Sequence, residues 1–288
     1  MPEKAETFDT KMDTWRQWQD SPWGRLRYIQ AGANLARHCP DLGDGALRVL
    51  DLAGGDGGDA VRLAAKGHHV SIVDHAPAML TAARHRAAEA GLADRVTCIE
   101  ADIDNLPADI VRGGYDLVLC HNLLQYTDDI TATLAAALAP LRPGGLLSVI
   151  SINRHSEALR IAIQHNDPAA ARAALDTSQA HTVTFDTTIT LRTADEVTEI
   201  LDELGCPIIG HYGIRGVCDY ITDQERKHDP EFFAELERLE LAVADRQPYV
   251  NTARFFHLIA GPPWSASPEF KSVGSDPAQA PDIEVVGG

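Results

Sequence analysis

The chain of 288 residues carries 25 Lys and Arg against 42 Asp and Glu, a formal net charge of −17 at pH 7 with a pI near 5.0. That balance disfavours polyanionic partners such as duplex nucleic acid or an acidic bilayer, because phosphate contacts rely on surplus Lys and Arg; such a role would need a local basic patch. A hydrophobic fraction of 44% with 23% charged residues is that of a globular chain, and at roughly 150 residues per domain it fits one large domain or one domain with an insertion.

Met1 to Asp20 is charged and has no apolar stretch ending in a small-residue cleavage site, and no run of eighteen apolar residues occurs anywhere; a cytoplasmic location is expected. Residues 1–45 are expected to supply N-terminal lid helices. From Ala46 to Ile152, strand-like segments (Leu47–Leu52, His69–Asp74, Arg95–Ile99, Tyr115–Cys120, Leu146–Ile150) alternate with helix-like ones (Asp59–Lys66, Pro77–Ala90, Thr127–Leu141). Continuous apolar strands alternating with helices predict an α/β fold, a parallel sheet covered on both faces. Ligands of such sheets sit at the carboxyl ends of the strands, where strand order reverses.

Beyond Ile152 the rhythm changes. Ser156–Leu175 reads as helical with a break at Asn166-Asp167-Pro168, His181–Thr193 as a ribbon, and Thr193–Leu204 as a helix opened by a Thr193/Glu196 capping box. Pro207–Tyr220 and Arg254–Ile259 look like two further strands around a charged helix, Pro230–Ala244. The organisation expected is a main domain over 46–262 with an insert at about 154–192, followed by a disordered acidic tail over 263–288. Five scattered cysteines without a CxxC pair indicate neither disulfides nor a metal site; Cys98 and Cys120, in apolar runs, read as core thiols.

The strongest local signal is Val49-Leu50-Asp51-Leu52-Ala53-Gly54-Gly55-Asp56-Gly57-Gly58, a glycine turn between a strand and a helix. Asp74 closes the second strand, placed to accept both hydrogen bonds of a ribose diol. Gly55-x-Gly57-x-x-Ala60 also satisfies a dinucleotide fingerprint, so a Rossmann dehydrogenase is a rival reading. The acid before the turn separates the two. Asp51 would repel a pyrophosphate, whereas S-adenosylmethionine (SAM) has no phosphate and carries an ammonium and a sulfonium. Asp102 follows the third strand, where an adenine amino group is often met, with Ile103 able to lie against the ring. These acids favour SAM over a nicotinamide cofactor.

Asp51-x-Ala53-Gly54-Gly55-x-Gly57, Asp74, Asp102 and Leu141-Arg142-Pro143-Gly144-Gly145 resemble the motifs of class I SAM-dependent methyltransferases. That resemblance implies a Rossmann-like, seven-stranded, mostly parallel sheet with helices on both faces, its last strand inserted antiparallel, and S-adenosylhomocysteine as product. Gly24-Arg25-Leu26-Arg27, Cys120 to Tyr126, Ile152 to His155, Gly213-Ile214-Arg215, Asp219-Tyr220, Arg246 to Tyr249 and Ala253 to His257 are similar to segments of the bacterial tRNA 5-carboxymethoxyuridine methyltransferase family, over about Phe8 to Ile259. The resemblance implies cofactor contacts at Arg27, Ala53, Gly54, Asp74, Asp102, Ile103 and His121; Asp51 and Gly55 join them from the reading of the turn.

Methyl transfer needs an aligned nucleophile and exclusion of water. A carboxylate is already ionised at pH 7, so it needs a holding Arg, Tyr or His rather than a base; an alcohol or amine needs a base. The segments shared with the family are rich in Arg and Tyr, which suits a carboxylate. Arg215 and Tyr249 are the expected substrate contacts and Arg254 a structural residue; His155 is the candidate base should the acceptor be an alcohol or amine. Ala174 to Asp186, before and within the ribbon, holds no Lys or Arg. A small-molecule or peptide natural-product carboxylate is therefore the expected acceptor, ahead of tRNA, with O- or N-methylation of another small molecule and a SAM-binding protein without transfer chemistry as the other readings.

Overall fold

The computed structural model describes residues 12–39, 46–182 and 186–261; the predicted tail lies outside them. Helices α1 (Met12–Asp20) and α2 (Pro22–Ala36) come first. α2 starts where Ser21 Oγ accepts the Gly24 N–H and Pro22, needing no N–H partner, takes the first turn. The alternating region then gives β1 (Arg48–Leu52), α3 (Gly58–Ala64), β2 (His69–Asp74), α4 (Pro77–Glu89), β3 (Val96–Glu100), β4 (Tyr115–His121), α5 (Ile130–Leu138) and β5 (Leu141–Ile152). After it come α6 (Arg154–Gln164), α7 (Pro168–Ala174), the ribbon β6 (Gln179–Thr182) with β7 (Thr187–Thr190), α8 (Ala194–Glu203), β8 (Ile208–Ile214), α9 (Pro230–Val243) and β9 (Phe255–Ala260).

Seven strands form one sheet in the order β3-β2-β1-β4-β5-β9-β8. The first five pair in parallel, and β9 runs antiparallel between β5 and β8. Alternate residues serve opposite faces: Leu50, Val118 and Cys120 join one core cluster, Val49, Leu117 and Leu119 the other. β9, paired on both edges, is buried along its whole length. β3 lies at the sheet edge and is less buried, which is why Cys98 is only half-buried where the sequence predicted a core thiol.

The predicted helix over Thr127–Leu141 is shorter, because Asp129 caps the N–H of Ala132 and Leu141 already pairs with Tyr115 as the start of β5. The capping box at Thr193 and Glu196 forms as read. The ribbon stays apart from the main sheet. Strand order reverses between β1 and β4, whose neighbours lead outward in opposite directions, so the crevice above these two strands is where this class of sheet takes its ligand.

Candidate functional site

A cavity of about 240 Å³ occupies that crevice. Its walls include the ends of β1, β2 and β4, the glycine turn, and α1 and α2, which are laid over the turn. Asp56, buried in the turn, accepts from Trp15 Nε1 (3.2 Å) and Gln19 Nε2 (2.9 Å) of α1 and pairs with Arg86 of α4. Gly58 abuts Tyr28: a Cβ there would come within 2.5 Å of the phenol oxygen. Gly54 has to be glycine for a similar reason, since a Cβ would lie 2.7 Å from the Asp51 carboxylate.

Backbone strain gathers here. Of the non-glycine residues with positive φ among the described residues, Ala53 (53°), Asn122 (57°) and Arg215 (60°) all line this cavity. An alanine or arginine in the left-handed region is held by its surroundings, and such positions concentrate at working sites.

The predicted acids have distinct environments. Asp74 Oδ2 accepts from Gly55 N and Oδ1 from Ala76 N, each at 2.9 Å, so the turn is fastened to the end of β2. Each oxygen retains a further lone pair for a ligand hydroxyl. Asp51 is 2% exposed, and its Oδ2 has no hydrogen-bond partner among the described residues. Burial, reinforced by the charge of Asp59, pushes its carboxyl well above the usual range. An orphaned carboxylate at a cavity wall is suited to a cation. Asp102 and Ile103 line an adjoining space of about 270 Å³ that shares Ala53, Asp74 and Tyr126 with the first.

Arg27 is 2% exposed and lines the cavity. Its Nη1 lies 2.6 and 2.5 Å from the two oxygens of Asp59, a residue that sequence reasoning did not single out. Burial pushes the Asp59 carboxyl up, yet Arg27 and His121 together hold it well below the usual range. His121 Nδ1 donates to Asp59 Oδ2 (3.0 Å), which makes Nε2 the acceptor for Ser148 Oγ (2.7 Å); that hydroxyl in turn accepts from His257 Nε2 (2.9 Å). Burial lowers the pKa of both histidines. Ser148 and His257 were also missed; their only sequence signal is a polar residue inside an apolar strand.

Of the two expected substrate contacts and the conditional base, Arg215 lines the cavities and Tyr249 and His155 do not. Arg215 lines this cavity and a third one of about 540 Å³. His155 follows Asn153, whose side chain caps its N–H at 3.1 Å, and is exposed on α6. Tyr249 is 44% exposed. Neither lines any of the three cavities. The turn of helix that starts at Asn153 carries His155 outward, an outcome of helical phase that strand-end position alone did not reveal. Arg254, read from the sequence as structural, does line the cavities, bonding Glu157 Oε2 through Nη1 at 2.7 Å. Cys120 is buried with its thiol pushed up to about 12 by burial and then by Asp51, inert as read.

The chain is similar to known proteins. A family described as "Methyltransferase domain" matches residues 49–145, from β1 into β5. The tRNA 5-carboxymethoxyuridine methyltransferase of Escherichia coli (strain K12) is 29% identical over 246 residues, 84% of this chain and 90% of that enzyme. A ubiquinone biosynthesis O-methyltransferase of Marinobacter nauticus is 31% identical over 140 residues, 48% of this chain and 54% of the relative. The magnesium protoporphyrin IX methyltransferase of Synechocystis PCC 6803, crystallised with bound S-adenosylhomocysteine, shares the fold with a TM-score of 0.58 at 15% identity, over 88% of this chain and 94% of that one. Among the described residues no helix is long and apolar enough to cross a membrane. The domain matched over residues 49–145, the sheet order found here and the fold shared with the solved structure give this chain a methyltransferase domain with the Rossmann-like fold of class I SAM-dependent methyltransferases, built around an acid-rimmed crevice suited to a cation.

Proposed function

We propose that the chain methylates a carboxylate oxygen of a small-molecule or peptide acceptor, with Arg215 and Arg254 holding the carboxylate. The observation that carries this reading is the pair of guanidiniums on the wall shared by the SAM crevice and the larger cavity beside it. Arg215 grips Asp219 through Nε (2.7 Å) and Nη2 (2.5 Å), and Arg254 uses Nη1 on Glu157; Nη1 of Arg215 and Nη2 of Arg254 make no hydrogen bond among the described residues. A guanidinium has five donors, so each can fix an acceptor oxygen while its own carboxylate keeps it in place.

SAM supplies an electrophilic methyl on a sulfonium. Asp51 would meet its ammonium, Asp74 the ribose, and Asp102 with Ile103 the adenine, while Ala53, Gly54 and Gly55 let the backbone approach closely. Arg27, held by Asp59, and His121, held by the same carboxylate, would shape the methionine end. Aligning the carboxylate oxygen with the methyl is then mainly a matter of position and dryness. An alcohol or amine acceptor would need a base, and the cavity is poorly furnished with one. Both ring nitrogens of His121 are engaged, and His75 lies beside Asp74, 3.8 Å from its Oδ1. The exposed His155 lines none of the three cavities.

A second reading, methylation of a wobble-uridine carboxylate in tRNA, is favoured by the relative that matches 84% of the chain. Against it stand the net charge and the ribbon, whose strands hold no Lys or Arg. The test is incubation with methyl-labelled SAM and either a set of small carboxylic acids and acidic peptides or bulk tRNA lacking the ester. The proposal requires label released from the acids by mild alkali as methanol; alkali-stable label, or label in tRNA alone, would overturn it.

A further inference from the structure

Next to the SAM crevice lies the larger cavity of about 540 Å³, joined to it through Trp18, Arg215 and Arg254. At its other wall is Lys227, 1% exposed, on a single turn of 3₁₀ helix over Arg226–His228. Nζ donates to Gln224 Oε1 at 3.0 Å and makes no ion pair among the described residues; the ring of Trp23 is 5.9 Å away. A buried ammonium with one neutral acceptor for three donors is costly unless an anion completes it.

The acids whose fields reach Lys227 are already committed. Asp219 is gripped by Arg215, and Glu240 accepts the backbone N–H groups of Gly216, Val217 and Cys218 at 2.8, 3.0 and 2.6 Å. Glu157 is shared by Arg160 and Arg254. The cavity wall therefore presents Arg160, Arg215, Arg254 and Lys227 against Asp219, with Glu157 behind, a positive surplus in a chain whose net charge is −17. Burial also lowers the pKa of Lys227, as expected of an ammonium short of counter-charge.

We propose that Lys227 binds a second anionic group of the methyl acceptor, so that the acceptor is a small diacid with a flat apolar body lying along Trp18 and Trp23. One acid group sits between Arg215 and Arg254 within reach of the methyl; the other reaches Lys227. The inference rests on the carboxylate reading above and narrows its substrate class. It also gives Lys227 the part of a specificity residue that takes no share in the transfer step.

The test uses the whole chain with S-adenosylhomocysteine bound and tryptophan quenching as readout, comparing benzoate with the benzene dicarboxylates and with carboxyphenyl phosphates. In the wild-type protein at least one of these diacids should bind ten-fold or more tighter than benzoate. Lys227→Met should abolish that advantage without weakening benzoate, Lys227→Arg should retain most of it, and Lys227→Met should melt at the same temperature as wild type or higher, because it removes an uncompensated buried charge. Equal binding of diacids and benzoate by the wild type, or equal loss of both in Lys227→Met, overturns the subsite, as does a fall in melting temperature with diacid preference intact. Equal binding by the wild type overturns the subsite even if Lys227→Met does not fold, and Lys227→Gln then replaces it in the comparison. The arms using labelled SAM separate this from the broader reading: ester formation without any Lys227 effect removes only the subsite, whereas Lys227-dependent binding with no alkali-labile label from any carboxylic acid removes carboxylate transfer. A preference confined to the phosphates identifies the second group as phosphate, and tight binding of tRNA lost in Lys227→Met, with no diacid preference, overturns the small-molecule assignment.

Discussion

The two halves of the active crevice are built from opposite charges. Around the glycine turn the groups are carboxylates, buried Asp51, Asp56 and Asp74 and half-buried Asp59, steadied by Arg27, Arg86 and backbone N–H groups. Around β8, β9 and α6 the groups are guanidiniums, buried Arg215 and half-buried Arg160 and Arg254, steadied by Glu157 and Asp219. In each half one buried ionisable group has no ion-pair partner among the described residues: Asp51 in the first, Lys227 in the second. A cationic cofactor and an anionic acceptor are what such a division favours, since each unmatched charge is relieved only when its ligand arrives.

The comparison can be broken most severely at Asp59. Asp59→Ala leaves Arg27 buried without its partner and releases His121, and the expected loss is about 3–5 kcal/mol of stability, together with SAM binding; a urea melt and calorimetric titration with SAM check it. A variant with wild-type stability would mean that Asp59 does not hold Arg27 and His121 in the acidic half. On the other side, Glu157 holds Arg160 and Arg254, and although burial raises its pKa these partners bring it down to about 2 from 4.5. The sign follows from the unfolded chain binding the proton more readily: the contribution, roughly 3 kcal/mol, is complete above pH 4.5 and disappears as pH falls through 2. Glu157→Gln should flatten the stability profile in that window, measured by denaturant melts from pH 2 to 6.

Asp51→Asn distinguishes an orphan charge from a structural one. It should weaken SAM ten-fold or more, about 1.4 kcal/mol, while leaving the cofactor-free protein as stable as before or more so, because burial already disfavours the ionised carboxyl. Loss of stability with unchanged SAM affinity would remove the symmetry between the halves. The smallest effects belong to the exposed candidates: His155→Ala and Tyr249→Phe should change kcat/KM by less than about two-fold in the labelled-methyl assay. A larger fall at His155 would return the acceptor to the alcohol or amine class.

Much of the acidic half was legible in the sequence because it follows from strand ends. Asp51, Asp74 and His121 lie at the carboxyl ends of β1, β2 and β4, and the glycine turn follows β1 directly, so position along the chain fixes position in space. The cationic half was read less well. Arg215 was singled out and lines the cavities; Arg254, read as structural, is paired with Glu157 and lines them as well; Glu157, Arg160 and Lys227 were not singled out; and Tyr249 and His155, named as site candidates, are exposed and line none of the three cavities. These residues come from helices, turns and an antiparallel strand far apart in sequence, where the direction of a side chain depends on helical phase and on packing against α1 and α2.

By itself the sequence determined the class of sheet, the glycine turn with its acids and the cationic cofactor they suit, because period and local turn chemistry act over a few residues. Only the tertiary structure decided which charges are paired. It brought Asp59 between Arg27 and His121, linked Ser148 to His257, and left Asp51 and Lys227 unmatched. These contacts depend on a few ångströms between segments 32 to 109 residues apart, a distance that no pattern along the chain encodes.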